Sequence, residues 1–419
     1  MSNWRVQTAG GEMNCVAISG DGQRVIAGTY YRQNPVAPKE IGTYIYDADG
    51  KLLYQDTAAP ETTAQGGVPM NQGVYWVAVS GDGKWAASAG GDHKVPMPPA
   101  PGTGKLIAYN IDARTQDTLL ETPIGGVNMV ALSGDGSYLV AGADAAYVFQ
   151  RTGSTFAKRD VLRDGVGPAD SVTTVAISED GRWVVYGTSA GQIGVYSTAW
   201  SSGHAAMWGA PPPQHYVKSI AMAAKGLGFA AVTTNRANVP KPLVECHAYF
   251  FNREGFLTTH DATWKRVLAD CDGVMSVAVN DTASHVAAVA NVPHTDGSVT
   301  GRVFFFDTRY DTEIWTKDTA HGPNSVSLDA MGSQIAVADG FAPPPASPQP
   351  AVADAPLPPG SFYLFDAAGA SVPLLVQPGV LSWTIQLSAD GRAIAAGNDD
   401  AMVYYFPPAA TAVYEEMRT

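Results

Sequence analysis

The chain has 419 residues, 45% of them hydrophobic and 16% charged, which is apolar enough to bury a large core and far from a disordered composition. Acidic side chains outnumber basic ones, 39 to 26, for a net charge of −13; this argues against a surface built to grip nucleic-acid phosphates. Three cysteines, Cys15, Cys246 and Cys271, make neither a disulfide framework nor a metal-ligand spacing, and no apolar run approaches the ~20 residues of a membrane helix.

The first residues, MSNWRVQTAG, lack the positive start and apolar stretch of a secretory signal. A soluble, cytoplasmic protein that touches no membrane is expected. Trp4–Gln7 reads as a strand with no partner of its own nearby. After it the chain repeats itself. Val16-Ala17-Ile18-Ser19 returns as Val77-Ala78-Val79-Ser80, Val130-Ala131-Leu132-Ser133 and Val175-Ala176-Ile177-Ser178. Worn copies start at Ile220, Val277, Val326 and Ile385, so eight units follow one another at intervals of 45 to 61 residues. Such a period marks a repeat architecture in which no unit can hide its apolar faces alone.

Each unit continues in the same way. Asp21-Gly22, Asp82-Gly83, Asp135-Gly136, Asp180-Gly181 and Asp390-Gly391 supply the turn that tight hairpins favour, because φ > 0 is cheap there. A second strand of small residues follows, as in Val25-Ile26-Ala27-Gly28 and Ile394-Ala395-Ala396-Gly397. The third strand ends on an aromatic residue in every copy: Tyr46, Tyr109, Phe149, Tyr196, Phe251, Phe306, Phe365 and Phe406. A fourth strand is read at 51–56, 118–121, 158–162, 264–268, 313–318 and 373–376. The last copy lacks one, and Trp4–Gln7 is the strand available to complete it and remove two open edges. With no helical periodicity anywhere, the expected fold is all-β: an eight-bladed β-propeller of four antiparallel strands per blade, residues 1–419 forming one domain, the ring closed by the N-terminal strand.

On these motifs the chain resembles the WD40 and YVTN-type propeller repeat families over nearly its whole length. Tyr46-Asp47, Phe306-Asp307 and Phe365-Asp366 stand where those repeats carry Trp-Asp, and Ser-x-Asp-Gly, as at Ser19 to Gly22, stands at their first hairpin. No unit opens with Gly-His and no Trp-Asp occurs. The resemblance implies a propeller, a fold that serves many unrelated functions.

The connections differ between the two faces of such a ring. The first hairpins are short and uniform. On the opposite face, long loops are expected after the second strand at 30–42, 91–104, 235–245, 291–301 and 340–360, and between blades at 56–73 and 201–216. They include Pro343-Pro344-Pro345, Pro358-Pro359 and Pro211-Pro212-Pro213. Proline lowers the entropy a loop loses on binding, and binding residues concentrate on loops carried by a rigid scaffold.

Candidate partner-binding residues on this face are Tyr30, Tyr31, Arg32, Trp76, His93, Tyr216, Arg236, His294, Phe341 and Trp383, with His215 beside Tyr216 as part of an aromatic platform. Asp92, Asp296, Asp399 and Asp400 add carboxylates, yet no HxH, HExxH or calcium-loop pattern supports a metal site. Asn14, Tyr75, Asn128, Thr173, Lys218, Met275, Asn324 and Trp383 should ring the channel mouth, with Lys218 alone charged. A catalytic funnel would be expected to gather His, Arg, Asp or Glu there. Cys271 is expected in an exposed connection. The reading is a non-catalytic scaffold without a cofactor that binds a protein or peptide, as an accessory subunit of a larger complex. The alternatives are a propeller enzyme (a lyase, a lactonase or a quinoprotein-dehydrogenase-like protein) and a small-ligand or metal sensor using the funnel.

Overall fold

Each apolar run of the repeat becomes the inner strand of a four-stranded antiparallel sheet, and eight such sheets form a closed ring. A computed structural model describes residues 3–8, 11–30, 40–58, 73–91, 101–124, 126–167, 170–201, 203–209, 215–235, 245–295, 298–341, 360–377 and 382–407. Blade one runs outward through Glu12–Ile18, Arg24–Tyr30, Ile41–Asp47 and Leu52–Ala58. In blade eight the outermost strand is Trp4–Gln7, paired antiparallel with Met402–Phe406. Trp4 stacks on Tyr405 at 5.4 Å and donates from its indole nitrogen to the Ala48 carbonyl of blade one. The protein is an eight-bladed β-propeller closed by its own first strand.

The core is distributed. Its buried side chains fall into eight clusters, one at each junction between neighbouring blades. All eight third-strand aromatics are buried there, none more than 3% exposed. In several blades the polar residue that follows bonds a main-chain N–H of the next turn: Asp47 accepts from Asp49 and Lys51, and Asp366 from Ala368 and Ala370. The small residues of the second strand have an equally local cause. A Cβ on Gly28 would stand 2.5 Å from Val74 Cγ1 of the next blade, and one on Gly187 2.4 Å from Val217 Cγ1.

The first hairpins form a hydrogen-bonded belt. Ser178 donates to Asp180 and accepts from the Trp183 N–H, while Asp180 accepts from the Arg182 N–H. Ser19, Ser80, Ser133 and Ser388 repeat the arrangement. Asn280 and Asp329 do the same work with one side chain, each accepting two N–H groups. Main-chain bonds then pass from hairpin to hairpin, Gly20 to Gly81, Asp82 to Gly134, Gly134 to Glu179, Glu179 to Ala224, and finally Ala389 back to Gly20.

Four details depart from the sequence reading. Ala206–Gly209 is the outer strand of blade four, although it falls in the expected connection 201–216. The turn after the third strand of blade five holds a short helix, Arg253–Thr259, started by Asn252, whose side chain accepts from the Gly255 N–H. The expected loop at 291–301 is largely a hairpin, because His285–Pro293 and Val299–Asp307 pair out to Pro293 and Val299. Cys271 is buried, packed with Cys246 in the cluster between blades five and six.

Candidate functional site

The inner strands of a propeller are edge strands facing the channel, so their main-chain groups need partners. Hydroxyls of the preceding blade supply several: Thr174 accepts from the Ile220 N–H, Ser219 from the Val277 N–H, and Thr384 from the Val16 N–H. Just before these hydroxyl positions the ladder skips a residue. Asn14, Tyr75, Thr173, Lys218, Met275, Asn324 and Trp383 each sit at such a bulge, which re-aims a side chain and locally ends pairing. Together with Asn128 they line one cavity of about 370 Å³ at the channel mouth. The ring expected from the sequence is therefore assembled in full. A second cavity, of about 320 Å³, lies beneath it and shares Trp76, Met129, Ser219, Ser276 and Ser325 as the waist between them.

Half of the ring fastens blades together. Asn14 donates to the Tyr75 carbonyl at 2.7 Å, Asn128 to Val172 at 2.8 Å, Thr173 to Val217 at 2.6 Å and Asn324 to Ser382 at 2.8 Å. Each of these bonds reaches the following blade beside its own bulge. Tyr75, Lys218, Met275 and Trp383 carry neither a short amide nor a short hydroxyl and leave bulk in the mouth instead. Trp76 joins them on the cavity wall. Tyr30 supports this wall from behind: it is buried, meets Tyr75 edge-on at 4.9 Å, and its hydroxyl lies 3.3 Å from that of Tyr75. Among the described residues Lys218 is the one ionisable side chain of the mouth cavity apart from the Tyr75 phenol, and burial lowers its amine below the usual lysine range.

The other candidates are dispersed. Tyr216 is half-buried in the inner strand of blade five, His215–Met222. His294 is exposed on blade six with its Nε2 2.8 Å from Thr300 Oγ1. Phe341 ends the second strand of blade seven, Gln334–Phe341. Tyr31, Arg32, His93, Arg236, Asp92 and Asp296, with all three proline runs, lie outside the described residues. Asp399 is half-buried and Asp400 exposed. His215 takes no part in an aromatic platform: it is fully buried, because its ring turns in over Thr233. The described ends of the undescribed segments 31–39, 236–244 and 342–359 belong to connections from second to third strands, and those of 210–214 to a crossing between blades. In an antiparallel blade all of these connections open on the face opposite the first hairpins.

Two features at this face escaped the sequence reading, a buried carboxyl and the meeting of His215 with Glu245 and His247. Asp339, near the end of a second strand in blade seven, is fully buried; burial pushes its carboxyl up to about 7, against the N–H of His321 and the hydroxyl of Thr319, which it accepts at 3.1 and 3.2 Å. In blade five, His215, Glu245 and His247 each bring a ligand-type atom within 4.8 Å of the others.

No protein-family model matches the sequence, and no curated protein is found similar to it. Solved structures do match. The Dos1 propeller aligns over 97% of this chain and 96% of its own at 12% identity, with a TM-score of 0.66. A chain of the Kuenenia stuttgartiensis hydrazine synthase aligns over 96% and 97% at 12% identity, TM-score 0.53. One from a mitotic checkpoint complex aligns over 79% and 86% at 16% identity, TM-score 0.54. At such identities the likeness establishes the propeller and nothing further about activity. Among the described residues no helix is long and apolar enough to cross a membrane.

Proposed function

We propose that this chain is a WD40-like, non-catalytic propeller scaffold, its 419 residues acting as one unit, that receives a protein or peptide on the long-loop face with the channel mouth at the centre. The observation that carries this reading is the chemistry of the mouth. Four of its eight ring positions are spent on fastening blades, and the remainder offer aromatic and thioether surface around a solitary amine. Acid–base chemistry needs at least two ionisable groups held within reach of each other, and among the described residues the mouth cavity offers Lys218 and the Tyr75 phenol, with no carboxylate or imidazole. Aromatic anchors at the centre of a rigid surface are what binding hot spots consist of. One of the similar solved structures comes from the mitotic checkpoint complex, which agrees with a subunit role.

Trp383→Ala, Trp76→Ala and removal of 342–359 test the reading. Proteins that co-purify with the wild type from its own host and are absent with all three variants are expected; partners kept by every variant overturn it. A second reading takes its support from Lys218: an amine at depressed pKa in a 370 Å³ cavity suits a small anionic ligand or a carbonyl compound. Borohydride trapping of a metabolite on Lys218, or an anion whose binding is lost in Lys218→Met, would favour that reading over the scaffold.

A further inference from the structure

We propose that His215, Glu245 and His247 form a site for a divalent transition metal of the zinc type, tying together the roots of two connections on the loop face. This inference goes beyond the partner-binding reading and stands without it.

The cluster arises from strand register. In the third strand of blade five, Cys246–Asn252, alternation sends Cys246 to one side and Glu245 and His247 to the other. Cys246 accordingly joins the core between blades five and six. His247 pairs across with Thr233, and His215, on the far side of the second strand, pairs with Asn235. The two imidazoles therefore meet above the second strand, over the small side chain of Thr233, with ring centroids 4.9 Å apart. His215 is 0% and His247 1% exposed.

Their polar atoms are poorly used for such depth. Nε2 of His215 and Nδ1 of His247 are buried with no hydrogen-bond partner, a state that costs free energy unless something else meets the lone pair. His215 Nδ1 lies 3.0 Å from Thr233 Oγ1; a second-sphere partner of this kind fixes ring orientation and presents the opposite nitrogen. Burial lowers His215, with Lys265 adding to it and Glu245 and Asn235 opposing; burial, then Lys265 and the neighbouring ring, bring His247 down to about 4. Glu245 Oε2 stands 3.5 Å from His247 Nε2.

Two imidazoles and one carboxylate are a zinc donor set, with a fourth position left for water or a further ligand. Bonds of ~2.1 Å place ligand atoms ~3.4 Å apart, closer than the 4.8 Å within which these atoms lie. Glu245 has the freedom to close that gap, since its side chain is 59% exposed. The neighbouring Lys265 offsets the carboxylate's charge, which argues for moderate rather than extreme affinity. Position gives the site its consequence: His215 directly follows the segment 210–214, and Glu245 directly follows 236–244, so one ion would clamp the ends of both.

The test uses untagged full-length protein, stripped of metal by chelator dialysis and titrated with Zn²⁺ against a chromophoric chelator, then with Co²⁺. One metal per chain is expected, with the intense visible bands of four-coordinate cobalt. Glu245→Gln, at an exposed position, should weaken Zn²⁺ at least tenfold, and Thr233→Val ~10-fold through loss of ring orientation. His247→Gln should abolish binding, while His294→Gln on blade six changes nothing. Failure of the wild type to bind Zn²⁺, or stoichiometric binding unaltered by Glu245→Gln, overturns the proposal, and neither outcome depends on whether a partner binds the loop face.

Discussion

The two faces of the ring are built on opposite rules. On the hairpin face, one side-chain grammar is repeated: Ser19, Ser80, Ser133, Ser178 and Ser388 each hold their aspartate and close a turn. On the loop face, the connections differ widely in length. Blades three and four turn within a few residues, Gly142 to Ala146 and Thr188 to Gln192, while blade seven passes from Phe341 to Gly360. The belt of main-chain bonds holds the blades in angular register on the hairpin side, and on the loop face Asn14, Asn128, Thr173 and Asn324 do so beside the channel, which leaves the connections farther out free to diverge and to carry recognition.

That division can be broken most forcefully at the ring closure. Deleting residues 1–8 removes the Trp4 stack and the whole outer strand of blade eight, and should lower the melting temperature by more than ten degrees. Trimming 415–419 should change it by less than two; equal shifts would show that closure rests on other residues. One step down, Ser178→Ala leaves the Trp183 N–H without its hydroxyl acceptor and should cost about 1–3 kcal/mol in denaturant unfolding. Ser189→Ala, at the short turn on the opposite face of the same blade, should cost less than half as much if the hairpin belt is the structural one.

The loop face has its own pH signature. The Asp339 carboxyl, raised to about 7 in the fold, returns to the ordinary carboxylate range near 4 when the chain unfolds. Between those values the folded chain keeps a proton that the unfolded chain has lost, so stability falls as pH rises through the window and levels off above it. Asp339→Asn should flatten that part of the profile and gain on the wild type at pH 8, as read by melting curves of both proteins from pH 4 to 8. The smallest effect is a gain. Ala283 alone among the eight first hairpins holds φ near +58° without being glycine, and Ala283→Gly should stabilise by about 1 kcal/mol.

The blade count and the closing strand were legible because both rest on short-range chemistry repeated eight times: an apolar run, a turn with positive φ, a buried aromatic. The ring of mouth residues was legible for the same reason, since the bulge recurs at a fixed place in the repeat. What escaped lacked a local pattern. Ala206–Gly209 is four residues long, too short to show alternation. Arg253–Thr259 spans two turns, too few for a helical stripe. His215 and His247 lie 32 positions apart and meet only through the register of a third strand between them. Glu245-x-His247 was the available clue: alternate residues in a strand share a side, and this pair offered two ligands on one. Cys271 was misplaced because a connection between blades reads as surface, whereas here its thiol tucks against Cys246 under the next sheet.

The bond from the Thr8 hydroxyl to the Ala401 carbonyl spans 393 residues. During synthesis the first strand therefore has no mate until Met402–Phe406 has left the ribosome. Seven sheets are complete by then, and the growing arc carries an unsatisfied rim at each end, a shape open to pairing with a sister arc. Snapping shut is a late, long-range event, and its rate is governed by how soon the arc's two ends find each other.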